Sequence, residues 1–105
     1  MSDSAVQKKI GDLIENNRIL LFMKGDKETP MCGFSAQVVH ILNSYDVNYE
    51  TINVLDDWDI REGIKVFSSW PTIPQLYVDG EFIGGCDIVM EAHRKEELGS
   101  ILRAA

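Results

Sequence analysis

Apolar residues recur every three or four positions in several segments of the chain, a spacing typical of amphipathic helices. Three such segments precede residue 70. Their apolar positions are Val6, Ile10, Leu13 and Ile14 in the first, Phe34, Val38, Ile41, Leu42 and Tyr45 in the second, and Ile60, Ile64 and Phe67 in the third. The segment Ser2–Ser4 offers capping side chains for the first helix. A fourth helix is predicted from about Asp87 towards Leu102, with Gly99 weakening its last turn.

Short apolar runs between these segments predict four strands. Ile19–Met23 is continuously apolar, which is typical of a strand buried on both faces. Tyr49–Val54 is the second predicted strand. Gln75–Val78 and Glu81–Ile83 flank Asp79-Gly80, a strong signal for a β-hairpin. The predicted element order is therefore α-β-α-β-α-β-β-α.

This order predicts an α/β fold. A strand, a helix and a second strand in succession indicate a parallel pair with a right-handed crossover. The hairpin adds an antiparallel strand, so we expect a mixed four-stranded sheet with helices on both faces. At 105 residues, the chain fits one domain, and we expect residues 1–105 to form it.

Composition and charge exclude several classes of function. The net charge of −7 argues against a broad nucleic-acid surface. No apolar run approaches the roughly 20 residues that span a bilayer, so we expect no membrane partner. The first residues lack the pattern of a secretory signal, and two cysteines do not make a disulfide framework. We therefore expect a cytoplasmic protein, or a mitochondrial matrix protein if the chain is a processed form.

Cys32 is the main candidate for chemistry, because it lies between the first strand and the second helix. Amides at a helix N-terminus carry about half a positive charge and favour an anion. Such a position lowers a thiol pKa to about 3.5–7.5, and Lys24 offers a second positive group. The alternative, a buried apolar cysteine, fits this context less well.

The residue three positions after Cys32 limits what this thiol does. A dithiol redox motif would have a second cysteine there, and this chain has Ser35. An oxidised Cys32 must therefore pair with an outside thiol or with Cys86. Otherwise it stays a thiolate and binds a metal centre.

Two further stretches are candidates for ligand binding. The prolines in Trp70–Pro74 force extended backbone, which either offers groups to a peptide-like ligand or forms a rigid turn. Gly84–Asp87 opens the last helix, where free amides and the Asp87 carboxylate suit a zwitterion. The alternative there is a simple turn with Asp87 as the N-cap. Taken alone, Arg61 is a solvated charge and Cys86 a structural residue.

Four blocks, in this order and spacing, resemble the monothiol glutaredoxin family of the CGFS type. They are Met23-Lys24-Gly25, Cys32-Gly33-Phe34-Ser35, Trp70–Leu76 and Gly84–Asp87. The resemblance covers nearly the whole chain. It implies a thioredoxin fold in which the peptide bond before Pro74 is cis.

The resemblance also implies a glutathione site beside Cys32. The matching residues are Lys24, Arg61, Thr72, Ile73, Pro74, Cys86 and Asp87. By matching position, the first two pair with the glycyl carboxylate, the segment before the cis proline holds the ligand backbone, and the last two bind the γ-glutamyl end. The family often has an aromatic residue at the position of Ile73, so we expect main-chain contacts without aromatic packing.

A [2Fe–2S] cluster is usually held by four thiolates, which predicts how this protein would bind one. One chain supplies Cys32 and one bound glutathione supplies a second thiolate, so two chains and two glutathiones complete the set. The expected species is a cluster-bridged homodimer with Cys32 as both the reactive and the metal-binding residue. Because two ligands are not part of the protein, the cluster should be labile, which suits an iron–sulfur cluster carrier in assembly and transfer.

The resemblance further implies partners and a second activity. A BolA-type protein and recipient iron–sulfur apoproteins are the implied partners. The alternative function is a glutathione-dependent thiol–disulfide oxidoreductase that removes glutathione from proteins through Cys32. The resemblance implies that this activity is weak.

Overall fold

The computed structural model describes residues 3–103. Within them, four strands and five α-helices are formed. The helices are α1 (Asp3–Asn16), α2 (Gly33–Asn43), α3 (Trp58–Ser68), α4 (Cys86–Arg94) and α5 (Leu98–Leu102). The strands are β1 (Ile19–Met23), β2 (Glu50–Asn53), β3 (Gln75–Val78) and β4 (Glu81–Gly84). Ser2, the first of the predicted capping residues, lies outside the described residues.

The four strands form one mixed sheet in the order β2-β1-β3-β4. β1 runs parallel to β2, with Leu21 opposite Thr51. On its other side β1 runs antiparallel to β3, with Leu21 opposite Leu76. The hairpin pairs β3 with β4, placing Tyr77 opposite Phe82. The predicted α/β class is confirmed, and a mixed four-stranded sheet flanked by helices in this way is a thioredoxin fold.

β1 lies between two apolar cores, which explains why all five of its residues are apolar and buried. Ile19, Leu21 and Met23 point into a core formed with α2, α4 and α5. Leu20 and Phe22 point into the opposite core, formed with α1 and α3. Helices therefore cover both faces of the sheet, and the carboxyl end of β1 opens towards the start of α2.

The structure divides the single helix predicted to run towards Leu102 into α4 and α5. The break is a Schellman motif, in which Glu96 adopts a left-handed conformation with φ of 61°. The Glu96 amide donates to the carbonyl of His93 at 3.1 Å, and the Glu97 amide donates to the carbonyl of Ala92 at 2.9 Å. These two hydrogen bonds end α4 and turn the chain before α5.

The turn lets α5 bury both of its leucines, Leu98 and Leu102, completely. The sequence pattern did not predict it because a glycine usually occupies the left-handed position after a helix, and this chain has Glu96 there. Gly99, which suggested a weak last turn, instead lies inside α5.

Two other boundaries differ from those predicted. The second strand ends at Asn53, because Val54 begins a short 3-10 turn and the Asn53 side chain accepts a hydrogen bond from the Leu55 amide at 3.0 Å. Tyr45 follows the end of α2 and still packs against the core. Among residues 3–103, none of the helices has both the length and the apolar character needed to cross a bilayer.

Candidate functional site

The carboxyl end of β1, the start of α2, the segment before β3 and the start of α4 surround a cleft of about 380 Å³. All eight residues predicted to form the site line this cleft. They are Lys24, Cys32, Arg61, Thr72, Ile73, Pro74, Cys86 and Asp87. The other lining residues are Phe34, Lys65, Trp70, Pro71, Gly85 and Ile88.

Cys32 is the N-cap residue of α2 and has extended backbone angles, with φ of −154° and ψ of 140°. Its carbonyl accepts the first hydrogen bond of the helix, from the amide of Ala36 at 2.9 Å. Its side chain forms no capping hydrogen bond and is partly exposed at the edge of the cleft. The sulfur is therefore available to a ligand while the amides of the first helical turn point towards it.

The surroundings of Cys32 favour its thiolate. Burial by itself raises the pKa of the thiol, but the amides of Ser35 and Phe34, the Ser35 hydroxyl and the charge of Lys24 act against burial. Together they outweigh it, and the pKa of Cys32 lies below its ordinary value.

Ser35 occupies the position that a second cysteine has in a dithiol motif. It is fully buried, and its hydroxyl accepts a hydrogen bond from the amide of Lys24 at 3.1 Å. This bond joins the end of β1 to the first turn of α2. Ser35 thus holds the start of α2, with Cys32, beside Lys24.

A tight loop brings Lys24 and Cys32 to the same side of the cleft. The carbonyl of Lys24 accepts a hydrogen bond from the amide of Met31 at 2.9 Å. Gly25 has a φ of 88°, and its amide donates to the side chain of Asn53 at 3.0 Å. A Cβ at Gly25 would lie 2.7 Å from the backbone nitrogen of Met31, so the loop closes only with glycine there.

The fully buried side chain of Gln75 fixes the segment before β3. Its side-chain nitrogen donates to the carbonyls of Trp70 and Thr72, both at 3.1 Å, and its oxygen accepts from the Tyr77 hydroxyl at 3.3 Å. The Ile73–Pro74 peptide bond is cis, as the resemblance implied. The segment is therefore a rigid turn and also forms one wall of the cleft.

Positive charge is concentrated at one end of the cleft, in a protein whose net charge is −7. Lys24 and Arg61 form no ion pair with any carboxylate of residues 3–103, and the buried Nε of Arg61 has no hydrogen-bond partner there. Lys65, which sequence reasoning missed, pairs with Glu62 at 3.2 Å. Its position one helical turn after Arg61 was the signal that would have placed it on the same face.

Cys86 also lines the cleft, at the start of α4, where Gly85 rather than Asp87 is the N-cap residue. Its thiol donates to the side-chain oxygen of Gln37 at 3.2 Å. Burial, followed by the negative charges of Asp87 and Cys32, raises the pKa of Cys86. The cleft therefore holds one thiol whose pKa is lowered and one whose pKa is raised.

A complete metal site is not formed by one chain within the described residues. No group of three or more histidine, cysteine, aspartate or glutamate side chains between residues 3 and 103 is arranged to hold a metal ion. Cys32 is the one soft donor of the cleft that is both partly exposed and inclined to be anionic. A metal centre at this site would need donors beyond those that residues 3–103 bring together.

The chain is similar to known proteins along most of its length. The family model described as Glutaredoxin matches residues 19–83. A probable monothiol glutaredoxin 2 from Rickettsia conorii is 53% identical over 97 residues, covering 92% of this chain and 91% of that protein. The mitochondrial glutaredoxin-related protein 5 of Danio rerio is 50% identical over 99 residues, and the match covers 93% of this chain but 64% of that longer protein.

The chain is also similar to solved structures of glutaredoxins. The reduced apo form of a poplar glutaredoxin, GrxS14, superposes with a TM-score of 0.85 at 43% identity, covering 98% of this chain and 95% of that one. A buckwheat glutaredoxin in complex with glutathione has a TM-score of 0.85 at 27% identity, covering 96% of this chain and 90% of that one.

Proposed function

The chain belongs to the monothiol glutaredoxin family, and from that premise we propose that it binds glutathione in the cleft and carries a [2Fe–2S] cluster between two copies. One observation carries the proposal. The cleft combines a single thiolate-favouring cysteine, Cys32, with two cations that no carboxylate of residues 3–103 neutralises. In the described part of the chain the two cations have no carboxylate partner and Cys32 has no second thiolate beside it that is exposed, and glutathione carries both a free carboxylate and a thiol.

The charged groups of glutathione would each find a group of opposite charge in the cleft. Lys24 and Arg61 would pair with its glycyl carboxylate, since a guanidinium binds carboxylates through two parallel hydrogen bonds. The backbone of Thr72 and Ile73, before the cis Pro74, would hold the middle of the tripeptide. The start of α4, with the amides of Cys86 and Asp87 and the Asp87 carboxylate, would bind the zwitterionic γ-glutamyl end. The buckwheat glutaredoxin of the same fold is itself a glutathione complex.

The cluster needs four thiolates, and the chain supplies one. Cys86 is a poor donor because its sulfur is buried, bonded to Gln37 and has a raised pKa. Two copies of Cys32 and two glutathiones therefore make the ligand set. Around Cys32, the side chains of Met31, Phe34 and Ile88 are 63%, 60% and 41% exposed, and this apolar rim suits the approach of a second copy.

A cluster held half by free tripeptides is released readily, which suits transfer more than electron storage. Recipient iron–sulfur apoproteins and a BolA-type protein are the proposed partners. The proposed compartment is the cytoplasm. The mitochondrial matrix is the alternative, because the named relatives include a mitochondrial protein as well as a chloroplastic one.

Anaerobic reconstitution with iron, sulfide and glutathione tests the proposal. Visible absorbance reports the cluster and size exclusion reports the dimer. We expect a coloured dimer with glutathione, and a colourless monomer with S-methylglutathione, a matched control that keeps the charges but cannot supply a thiolate. Cys32→Ser should abolish cluster binding. A stoichiometric cluster on Cys32→Ser, or on a monomer without the tripeptide, would contradict the proposal.

The lowered pKa of Cys32 favours a second candidate function, removal of glutathione from proteins. The Cys32 thiolate would attack the glutathione sulfur of a mixed disulfide, releasing the protein thiol and leaving glutathione on Cys32. A second glutathione thiolate would then regenerate Cys32 and leave as glutathione disulfide. We expect turnover of such a substrate to be slow, and rates equal to those of a dithiol glutaredoxin would make this the principal function.

A further inference from the structure

Trp58 is an exposed tryptophan that core packing does not explain. It is the first residue of α3, it is 65% exposed, and it belongs to neither apolar core. Its ring lies under the guanidinium of Arg61, with 5.3 Å between the ring centroid and the Arg61 Cζ. This separation is within the roughly 6 Å over which a cation and an aromatic face attract each other. The indole therefore contacts a residue of the cleft through its face.

Arg61 has few other contacts to fix its side chain. Its Nε is buried without a hydrogen-bond partner, and none of the ion pairs among residues 3–103 includes it. The nearby N-cap carboxylate of Asp57 is engaged elsewhere, accepting from the amide of Ile60 at 3.2 Å and pairing with Lys9 at 3.3 Å. The indole face is thus a support for a guanidinium that has no ion pair among residues 3–103.

We propose that Trp58 is a positioning residue, whose indole face holds the Arg61 guanidinium in the orientation that binds the glycyl carboxylate of glutathione. The inference rests on the proposed function. The N–H donors of a guanidinium point outward in its plane, so stacking one face on an aromatic ring leaves the edge free for a carboxylate. Trp58 does not line the cleft and acts on the ligand only through Arg61.

The geometry of α3 keeps the two side chains together. Residues three apart on a helix lie on the same face, and Trp58 and Arg61 have this spacing in the first turn. The Asp57 N-cap fixes that turn, because its carboxylate accepts from the Ile60 amide and the Arg61 amide donates to the Asp57 carbonyl at 3.0 Å. The backbone that carries Trp58 and Arg61 is therefore fixed by the N-cap, with the two side chains on one face of the helix.

The test is the affinity of the reduced, cluster-free protein for two ligands, followed by NMR titration. One ligand is glutathione and the other is γ-glutamylcysteine, which lacks the glycyl group. We expect Trp58→Ala to weaken glutathione binding by about two- to fivefold and to leave the affinity for γ-glutamylcysteine unchanged. Trp58→Phe, which keeps an aromatic face, should recover most of the loss.

Val66→Ala is the matched control, because Val66 is an exposed apolar residue of the same helix that does not line the cleft. It should bind both ligands as the unmodified chain does. Unchanged glutathione affinity in Trp58→Ala, with weakened affinity in Arg61→Ala, would overturn the inference and leave the proposed function standing. Equal weakening for both ligands would also overturn it, since a general structural role does not depend on the glycyl group. Failure of the unmodified chain to bind glutathione would instead overturn the proposed function.

Discussion

Cys32 and Cys86 line one cleft, yet the groups around each sulfur give them opposite chemistry. Burial raises the pKa of Cys32, but the helix amides, a hydroxyl and the charge of Lys24 lower it by more. Cys86 is buried more completely, donates to Gln37 and has two negative neighbours, so its pKa is raised. Cys32 is therefore the more readily ionised of the two, and it is the one for which we propose nucleophilic and metal-binding chemistry.

This difference predicts the pH dependence of alkylation. Only a thiolate reacts, and an ordinary cysteine has a pKa of about 8.5. Because the pKa of Cys32 is lowered, its reaction with iodoacetamide should persist below that pH and decline only as the pH falls through the lowered value. Because the pKa of Cys86 is raised, its reaction should begin only above the ordinary value. Mass spectrometry of each cysteine after timed labelling between about pH 5 and 10 measures both profiles.

Two controls accompany this measurement. Ser35→Ala removes one hydroxyl that favours the thiolate, so the Cys32 profile should move to higher pH. In denaturant the two cysteines should follow the same profile, since both lose their surroundings. Identical profiles in the folded protein would contradict the assignment.

At the scale of the elements, α3 packs closely against α1 at Gly63. The Gly63 carbonyl accepts a hydrogen bond from the side chain of Gln7 at 2.9 Å. A Cβ at Gly63 would lie 2.5 Å from Cγ1 of Val6 and 3.0 Å from Cδ1 of Ile10. Since α3 also carries Arg61, this contact fixes the helix that brings Arg61 to the cleft.

Replacing two helical glycines by alanine should therefore have opposite effects. Gly63→Ala should lower the free energy of unfolding by about 1–3 kcal/mol, because Val6 is stiff and must shift. Gly11→Ala is the matched control on α1, where the nearest atom to a new Cβ is in Phe67 at 3.8 Å. That change should raise the free energy of unfolding by up to about 1 kcal/mol through helix propensity. Urea unfolding measures both, and equal effects of the two substitutions would refute the close approach.

The elements also differ in how far sequence predicts them. β1 and the hairpin were predicted because an apolar run and Asp79-Gly80 are local signals. The turn between α4 and α5 was not, because Glu96 takes a left-handed conformation that its identity does not indicate. It is stabilised by the burial of Leu98 and Leu102 against the core, which is a tertiary effect.

The same distinction applies to the site. The motifs identified seven residues and the matching position in the resemblance added Arg61, and the structure brings all eight to one cleft. Lys65 and Ile88 were missed because they lie outside the motifs and reach the cleft only through the orientation of their helices. Trp58 was missed because its contact with Arg61 depends on side-chain geometry rather than on pattern.

For the molecule as a whole, one sheet separates two cores, and the cleft lies at the carboxyl end of the strand that both cores share. One core contains Leu102 of α5 and the other contains Ile64 of α3, and both side chains are fully buried. Because β1 contributes side chains to both cores, loss of packing on one face removes support from the other. The two halves should therefore unfold together, as small single domains usually do.

This coupling makes the expected single domain testable by one substitution in each core. Leu102→Ala and Ile64→Ala should each lower the free energy of unfolding by about 2–5 kcal/mol, through lost burial and the cavity left behind. Each should lower the urea concentration at the unfolding midpoint. The slope of the unfolding free energy against urea concentration should not change, since the same surface is exposed on unfolding. Ser100→Ala, on the exposed side of α5, is the control and should change the free energy of unfolding by less than about 0.5 kcal/mol.

Hydrogen exchange at β1, α3 and α4 should report a common opening energy in each variant. If Ile64→Ala released α1 and α3 at low urea while α2 and α4 stayed protected, the two faces would be separate folding units, and the cleft between them would have no common support.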